Sequence, residues 1–365
     1  MPSQAASTDL DRHSFAESLA SRIVLLADDL TGACDAGAAF LDAGRTVRVW
    51  FGTSVEFSAP ESVQAFSTNS RSLSSYRAAR VVTRAVEALG ADPNSLFFKK
   101  VDSAARGPLA AEVHAAARAL GSCATLLAPA FPAAGRIVRN GVLKIQSAAG
   151  DAKEIPLASL FPIIGRNRLG AVSNPSELGT MLDSGKTVLI CDSETQADLE
   201  ALVRAAQQFP RLLYAGSAGL ARALAGLNLV KQPPALVPPA EQTLIIAGSP
   251  HPATRLQLDT LEPDRFAGNR VLRIGFTFGA RSRIRSAFRT HAPQAIVLTG
   301  GETALLAVRA LEAHSFILQG ELAPGVPWGL MQGGLAHGCV VVTKSGGFGA
   351  PTIFNDILTA LRGSA

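Results

Sequence analysis

One repeated pattern constrains the fold more than anything else in this chain. A short β-branched or Leu-rich run gives way to a glycine-containing loop, and the loop to a stretch rich in Ala and Leu. The first instance is IVLLA (residues 23–27), then Asp28-Asp29-Leu30-Thr31-Gly32, then a helical stretch to about Leu41. Further strands are expected at 96–100, 123–128, 188–191 and 212–215, and again at 244–247, 295–299 and 340–343. Uninterrupted apolar runs of this length suit strands covered on both faces, and parallel strands need helical crossovers. The alternation therefore predicts an α/β protein of two domains, each a mainly parallel sheet flanked by helices. The segment 231–239, Lys-Gln-Pro-Pro-Ala-Leu-Val-Pro-Pro, cannot continue a helix or a central strand and reads as the linker joining them. The stretch 141–170 is irregular and predicts a small hairpin or an edge excursion.

Composition removes several function classes. With 47% hydrophobic and 17% charged residues the chain is too apolar to stay disordered. It has no run of about 18 apolar residues, so no membrane partner is expected. Aromatic residues are only 6%, which speaks against base-stacking modules. The net charge of +5 is spread without a Lys/Arg run, so no nucleic-acid partner is expected, and a diffuse positive field suits a small anionic substrate. The four cysteines (Cys34, Cys123, Cys191, Cys339) are scattered without a CxxC pair and read as reduced thiols of a cytoplasmic protein. Residues 1–20 are polar, lack the apolar centre of a signal peptide and read as a flexible tail.

Two acidic and basic turns in the first half carry chemistry. In LLADDLTGACDAG two adjacent carboxylates follow a buried strand and precede a helix. One of them fits an N-cap, but capping does not need both. The other reading makes Asp28 or Asp29 a general base toward a substrate hydroxyl, a task worth about 10²–10⁴-fold, while its neighbour orients a polyol and Thr31 opens the helix. In FFKKVDSAARGP, Lys100, Asp102, Ser103 and Arg106 crowd a turn before a helix. That turn reads either as a carboxylate or phosphate clamp or as a solvated Lys–Asp pair. Arg71, in STNSR at another strand end, could add a bidentate contact.

The second half offers anion sites instead. Gly300-Gly301 lets backbone approach closely, and Glu302 and Thr303 open a helix whose first N–H groups favour an anion. Ser249, after Gly248, and the KSGGFG loop with Gly346 and Gly347 supply two more donor loops, the lysine adding a cation. Standard alternatives fail. Gly179 is one residue too far from Gly185-Lys186-Thr187 for a P-loop, and no GxGxxG follows the first strand. The six histidines lack zinc spacing, and Gly216-Ser217-Ala218-Gly219 is not a nucleophile elbow.

The blocks ADDLTGACDAG, KKVDSAARGP, PAFPAAGR, AGSAGLARAL, TGGETA, GELAPGVPWG and KSGGFG, in this order, resemble the signature blocks of the four-carbon acid sugar kinases. The resemblance runs from about Ile23 to Leu361. It implies a sugar-acid-binding domain at 21–230, a linker at 231–240 and a nucleotide-binding domain at 241–365. It also implies ATP-dependent phosphorylation of the terminal, carbon-4 hydroxyl of threonate, erythronate or 3-oxo-tetronate, with Mg2+. Carried over by position, nucleotide contacts fall on Ser249, on Gly300, Gly301, Glu302 and Thr303, and on Gly346 or Gly347. Sugar-acid contacts fall on the Asp28-Asp29 block, including Thr31, and on Lys100, Asp102, Ser103 and Arg106, with Arg71, Gly216 and Ser217 as neighbours. The chain departs from the family in reading Ser103-Ala104-Ala105-Arg106-Gly107 where Ser-Thr-Leu-Arg-Gly is usual, and in being short after AAGD and over 265–293. The expected partners are a small sugar acid and ATP, with a homo-oligomer left open. The alternative is a non-catalytic sensor of sugar acid or nucleotide on the same fold.

Overall fold

The computed structural model describes residues 22–52, 62–90, 95–146, 152–162, 164–228, 235–262 and 268–363. The tail expected at 1–20 and the first part of the linker, 231–234, lie outside the described residues. In chain order the elements begin β1 (Arg22–Ala27), α1 (Leu30–Ala38), β2 (Val47–Trp50), β3 (Val63–Ser67), α2 (Ser75–Leu89), β4 (Ser95–Lys100), α3 (Leu109–Leu120) and β5 (Ala124–Ala128). They continue with β6 (Arg136–Arg139), β7 (Val142–Gln146), β8 (Ala152–Pro156), β9 (Leu169–Val172), α4 (Leu178–Asp183), β10 (Val188–Cys191), α5 (Gln196–Ala206), β11 (Leu212–Gly216) and α6 (Ala218–Ala225). The last are β12 (Thr243–Ala247), α7 (Pro252–Asp259), β13 (Arg270–Arg273), α8 (Ala280–His291), β14 (Ala295–Thr299), α9 (Gly301–Ala310), β15 (Ser315–Ala323), β16 (Val326–Gln332), β17 (Val340–Lys344) and α10 (Ile353–Leu361). The chain divides into two compact units: Met1–Asp28, Ser62–Gln64 and Ser70–Leu229 form the first, and Asp29–Glu61, Ala65–Asn69 and Val230–Ala365 the second.

The first unit is a parallel ladder, β1 on β4, β4 on β11, β11 on β5, β5 on β10 and β10 on the edge strand β9. Its register pairs Ala27 with Lys100 and Lys100 with Gly216, so three strands end level. The next residues, Asp28, Val101-Asp102 and Ser217, therefore leave the sheet at its carboxyl edge, where open α/β sheets bind ligands. The α2 helix buries Ala78, Val82, Ala85, Val86 and Leu89, one stripe at helical spacing, and stops at Gly90 with φ +68. The irregular stretch opens with β7 and β8, which with β6 just before it form a three-stranded antiparallel sheet, β6-β7-β8. Its first turn is Asn140-Gly141, both at positive φ (52 and 71), the pairing a tight hairpin needs.

The second unit has a four-stranded parallel core, β13-β12-β14-β17, extended by antiparallel β16, β15 and β2. Register again brings ends level: Ala247 pairs with Thr299 and Thr299 with Lys344. Gly248, Gly300 and Ser345 thus start neighbouring loops. Ile353, Phe354, Ile357, Leu358 and Leu361 of α10 form one stripe packed with Trp328, Val297 and Val342. This unit also takes in Asp29–Glu61 and Ala65–Asn69, which the linker-based division leaves with the first half. The physical reason is pairing. β2 runs antiparallel on β15 from Val47↔Leu318 to Trp50↔Ser315. In α1, a Cβ on Gly37 would stand only 3.1 Å from both Leu318 and Val47.

Inside the first unit, Lys99 Nζ lies 2.8 Å from Glu112 Oε2 with both side chains almost wholly buried. Removing one partner of a buried pair strands the other charge, which costs about 3–5 kcal/mol. Glu112→Ala is therefore expected to lower the urea-unfolding free energy by about that amount, whereas replacing both partners by apolar residues of similar volume recovers most of it.

Candidate active site

In the first unit the level strand ends build a charge cluster. Arg71 grips Asp28 with both arms of its fork, Nε to Oδ2 at 2.6 Å and Nη2 to Oδ1 at 2.9 Å. The backbone helps, since Ser70 N–H donates to Asp28 O at 2.9 Å. Asp102 accepts from the N–H groups of Ala104 and Arg106, both at 3.1 Å, and from Arg106 Nε and Nη2 at 2.8 and 2.7 Å. Arg71 Nη2 stands 3.5 Å from the same carboxylate. The turn works because Gly107 sits at φ +80, where a Cβ would press within 2.8 Å of Arg71 O. Buried Lys100 donates one hydrogen bond, to Val101 O at 2.9 Å. Among the described residues the Ser103 hydroxyl has no hydrogen-bond partner.

Burial alone would push the Asp28 carboxyl up. The charge and hydrogen bonds of Arg71, with the charges of Lys100 and Lys99, outweigh it and hold Asp28 below the usual carboxylate value. Asp102 is likewise held far below that value: burial opposes ionisation, and the hydrogen bonds of Arg106 and the charges of Arg71, Arg106 and Lys100 prevail. Asp28 is thus a fixed, weakly basic anion.

The second unit holds the other half of the acidic turn. Asp29 is the N-cap of α1, its Oδ1 accepting from Gly32 N–H at 2.7 Å and its Oδ2 from Thr31 Oγ1 at 3.2 Å. Ser345 Oγ donates to Thr31 Oγ1 at 3.2 Å. Thr31 is therefore tied to the KSGGFG loop. A Cβ on Gly301 would overlap the Asp29 carboxylate, so this carboxylate lies against the first residue of α9. Ser249 fits between Gly300 and Gly346: a Cβ on Gly300 would come within 3.1 Å of it, and one on Gly346 would overlap its Oγ. No side chain caps α9, and Gly300 stands at φ +91. Among the described residues the N–H groups of Gly301, Glu302 and Thr303, and of Gly346 and Gly347, donate to no group of the protein.

Some expected contacts turn out to have local jobs. Ser217 is the N-cap of α6; its hydroxyl donates to Ala130 O and accepts from Gly219 N–H at 3.0 Å. Gly216 is set by packing, since a Cβ there would meet Ala128 O at 2.5 Å. The KSGGFG lysine does not point outward as a free cation. Lys344 is fully buried and its Nζ is bonded to carbonyls of its own loop. Two side chains the sequence reading passes over also hold that loop. Thr254 Oγ1 donates to Gly346 O at 2.8 Å, and Gln257 Nε2 donates to Phe348 O and Gly349 O, both at 2.9 Å. Their signal in the sequence is two polar residues three apart on α7, both of them buried in the fold.

The cluster's electrostatics are testable without substrate. Because Asp28 and Asp102 are held low, their stabilisation is complete above the unfolded carboxyl value of about 3.9 and is lost as pH falls toward the folded values. Arg71→Leu strands Asp28 in a buried setting and is expected to cost about 1–3 kcal/mol near pH 7. Urea unfolding from pH 7 down to pH 3 should show a shallower loss in the variant than in the parent.

Two family models match the chain. The sugar-binding N-terminal domain covers residues 23–163 and 148–224, and the nucleotide-binding C-terminal domain covers 279–354. The chain is 31% identical to a D-threonate kinase of Bordetella bronchiseptica, over 93% of this chain and 97% of that one. It is 27% identical to a D-threonate kinase of Salmonella typhimurium (92% and 97% covered) and 26% identical to a 3-oxo-tetronate kinase of Pseudomonas fluorescens (93% and 96%). Solved structures from Salmonella typhimurium LT2 and Haemophilus influenzae share the fold. Their TM-scores are 0.70 and 0.65 at 18% and 19% identity, covering 92% and 93% of this chain and 98% and 100% of theirs. Sequence blocks, domain matches and full-length relatives agree: the chain belongs to the four-carbon acid sugar kinase family, with its sugar-binding N-terminal and nucleotide-binding C-terminal domains.

Proposed function

We propose that the protein is an ATP-dependent kinase that phosphorylates the carbon-4 hydroxyl of a four-carbon sugar acid, with Asp29 as the base. The observation that carries this reading is the Asp29 carboxylate lying against Gly301, the first residue of an uncapped helix, in the same unit as Ser249 and the KSGGFG loop. Free N–H groups and the positive end of α9 suit a terminal phosphoryl group. A Cβ at Gly301 or Gly346 would collide with neighbours, which supports loops shaped for close backbone approach. Gly300 to Thr303, Ser249, Gly346 and Gly347 would hold the phosphates. Mg2+ would arrive on the triphosphate, and among the described residues no three His, Cys, Asp or Glu side chains gather as a ready-made metal site.

Phosphoryl transfer asks little covalent chemistry of the protein and much positioning. Asp29 is fixed by its capping bonds and would accept the hydroxyl proton as the hydroxyl attacks. Asp28, pinned by Arg71 and held below its usual range, is the poorer base and would orient the substrate instead. Lys100, Ser103 and Arg106 would receive the acid end of the sugar; Asp102 fixes Arg106 for that task. Threonate, erythronate and 3-oxo-tetronate are the candidate substrates, because relatives carry those names. The cytoplasm, where ATP and free thiols coexist, is the proposed location; no described helix is long and apolar enough to cross a membrane.

The test is ADP release with ATP, Mg2+ and a panel of the three acids, followed by product mapping to carbon 4. Asp29→Asn keeps a good N-cap, so it should fold normally yet lose about 10²–10⁴-fold in kcat. Asp28→Asn should act mainly through a raised KM for the sugar acid. Ligand binding without turnover across the panel would replace the kinase with a sensor.

A further inference from the structure

Lys344 is a buried cation that the proposed phosphoryl transfer does not touch. It ends β17, is fully buried, and its Nζ lies 3.0 Å from Ser345 O, 3.4 Å from Gly346 O and 3.1 Å from Phe348 O. Its other side faces the Phe354 ring, with Nζ 5.6 Å from the centroid. An ammonium has three donors, and three carbonyls of one loop surround it. Those carbonyls are thereby drawn inward, while the N–H groups of Gly346 and Gly347 donate to no described group. We propose that Lys344 is a positioning residue: its ammonium gathers the loop's carbonyls so that the loop's N–H groups are left for nucleotide phosphates, and nucleotide binding draws a proton from the buffer onto its amine. The proposal rests on the reading of this loop as phosphate-binding.

The proton follows from the setting: Lys344 is fully buried and, among the described residues, pairs with no carboxylate. A neutral amine has two donors and a lone pair, so it would set that lone pair against a carbonyl oxygen. Burial favours the neutral form and brings Lys344 down to about 7. A bound anion beside the loop favours the charged form, and by linkage the charged form favours the anion. The neighbouring elements carry other titratable groups. His251 touches Gly347, and Asp29 reaches Ser345 through Thr31. Cys34 of α1 donates to Leu30 O of its own helix, while Glu302 and Asp356 lie in the first turns of α9 and α10. Of these, His251 is the one imidazole, so its replacement is the control.

Calorimetric titration of the full chain with ADP and Mg2+ at pH 8, in buffers of different ionisation enthalpy, decides the matter. The expected result is uptake of a sizeable fraction of one proton at pH 8, fading by pH 6 where Lys344 is already charged, and persisting in His251→Gln. Lys344→Met should weaken ADP roughly tenfold or more and abolish the buffer dependence. Lys344→Arg should recover part of the affinity without any proton uptake. Binding with one enthalpy in every buffer, or uptake that survives Lys344→Met or vanishes in His251→Gln, overturns the proposal while leaving the phosphate loop in place. No ADP binding by the parent protein would remove the phosphate-loop reading as well.

Discussion

Parallel pairing aligns strands by backbone hydrogen bonds that are indifferent to the loop beyond each strand. In the first unit the pairs Ala27–Lys100 and Lys100–Gly216 bring three strands to an end on one line. In the second, Ala247–Thr299 and Thr299–Lys344 do the same. Every candidate site residue lies within a few positions of one of those ends or on a loop bonded to it. A slip of one residue along either ladder would turn side chains to the opposite face and scatter the loops. The continuous apolar runs buried on both faces hold the register, so the site depends on residues such as Leu25, Phe98 and Val297, which are wholly enclosed in the core.

The two glycine-rich neighbourhoods of the second unit show the same dependence at closer range. Gly301 and Gly346 are glycines because Asp29 and Ser249 occupy the space where their Cβ atoms would go. Backbone, carboxylate and hydroxyl are packed as one piece, and the polar groups are arranged before any ligand arrives. Such preorganisation is the form in which electrostatic help to a reaction costs least at the moment of reaction. The first unit achieves it differently, by crossing two arginines over two buried carboxylates.

Much of this is legible in the sequence, and the exceptions have physical causes. Buried parallel strands announce themselves as apolar runs, so β1, β4, β10, β14 and β17 fall where expected. The β15–β16 hairpin does not. Pro327 and Gly329 interrupt β16, and Gly329 is there because Ile317 O passes where a side chain would go. The membership of 29–61 in the second unit rests on β2 pairing with β15 across more than 260 residues of sequence, which no local pattern encodes. Among site residues, the pairing of Arg71 with Asp28 is foreseeable only as a class of contact. Ser217, a neighbour of the sugar acid by family resemblance, is in the fold the N-cap of α6, a local role that the resemblance does not show. Lys344 reads as a cation added to a donor loop; only the fold shows the three carbonyls turned toward it.

A ring of carbonyl oxygens closing on a single positive charge is also how proteins hold a potassium ion stripped of its water. Here the charge sits on a side chain of the loop itself, so a proton switches it and no dissolved sodium can replace it. The loop around Lys344 should accordingly keep its shape across wide changes in alkali-metal concentration, without a dissolved monovalent ion to complete it.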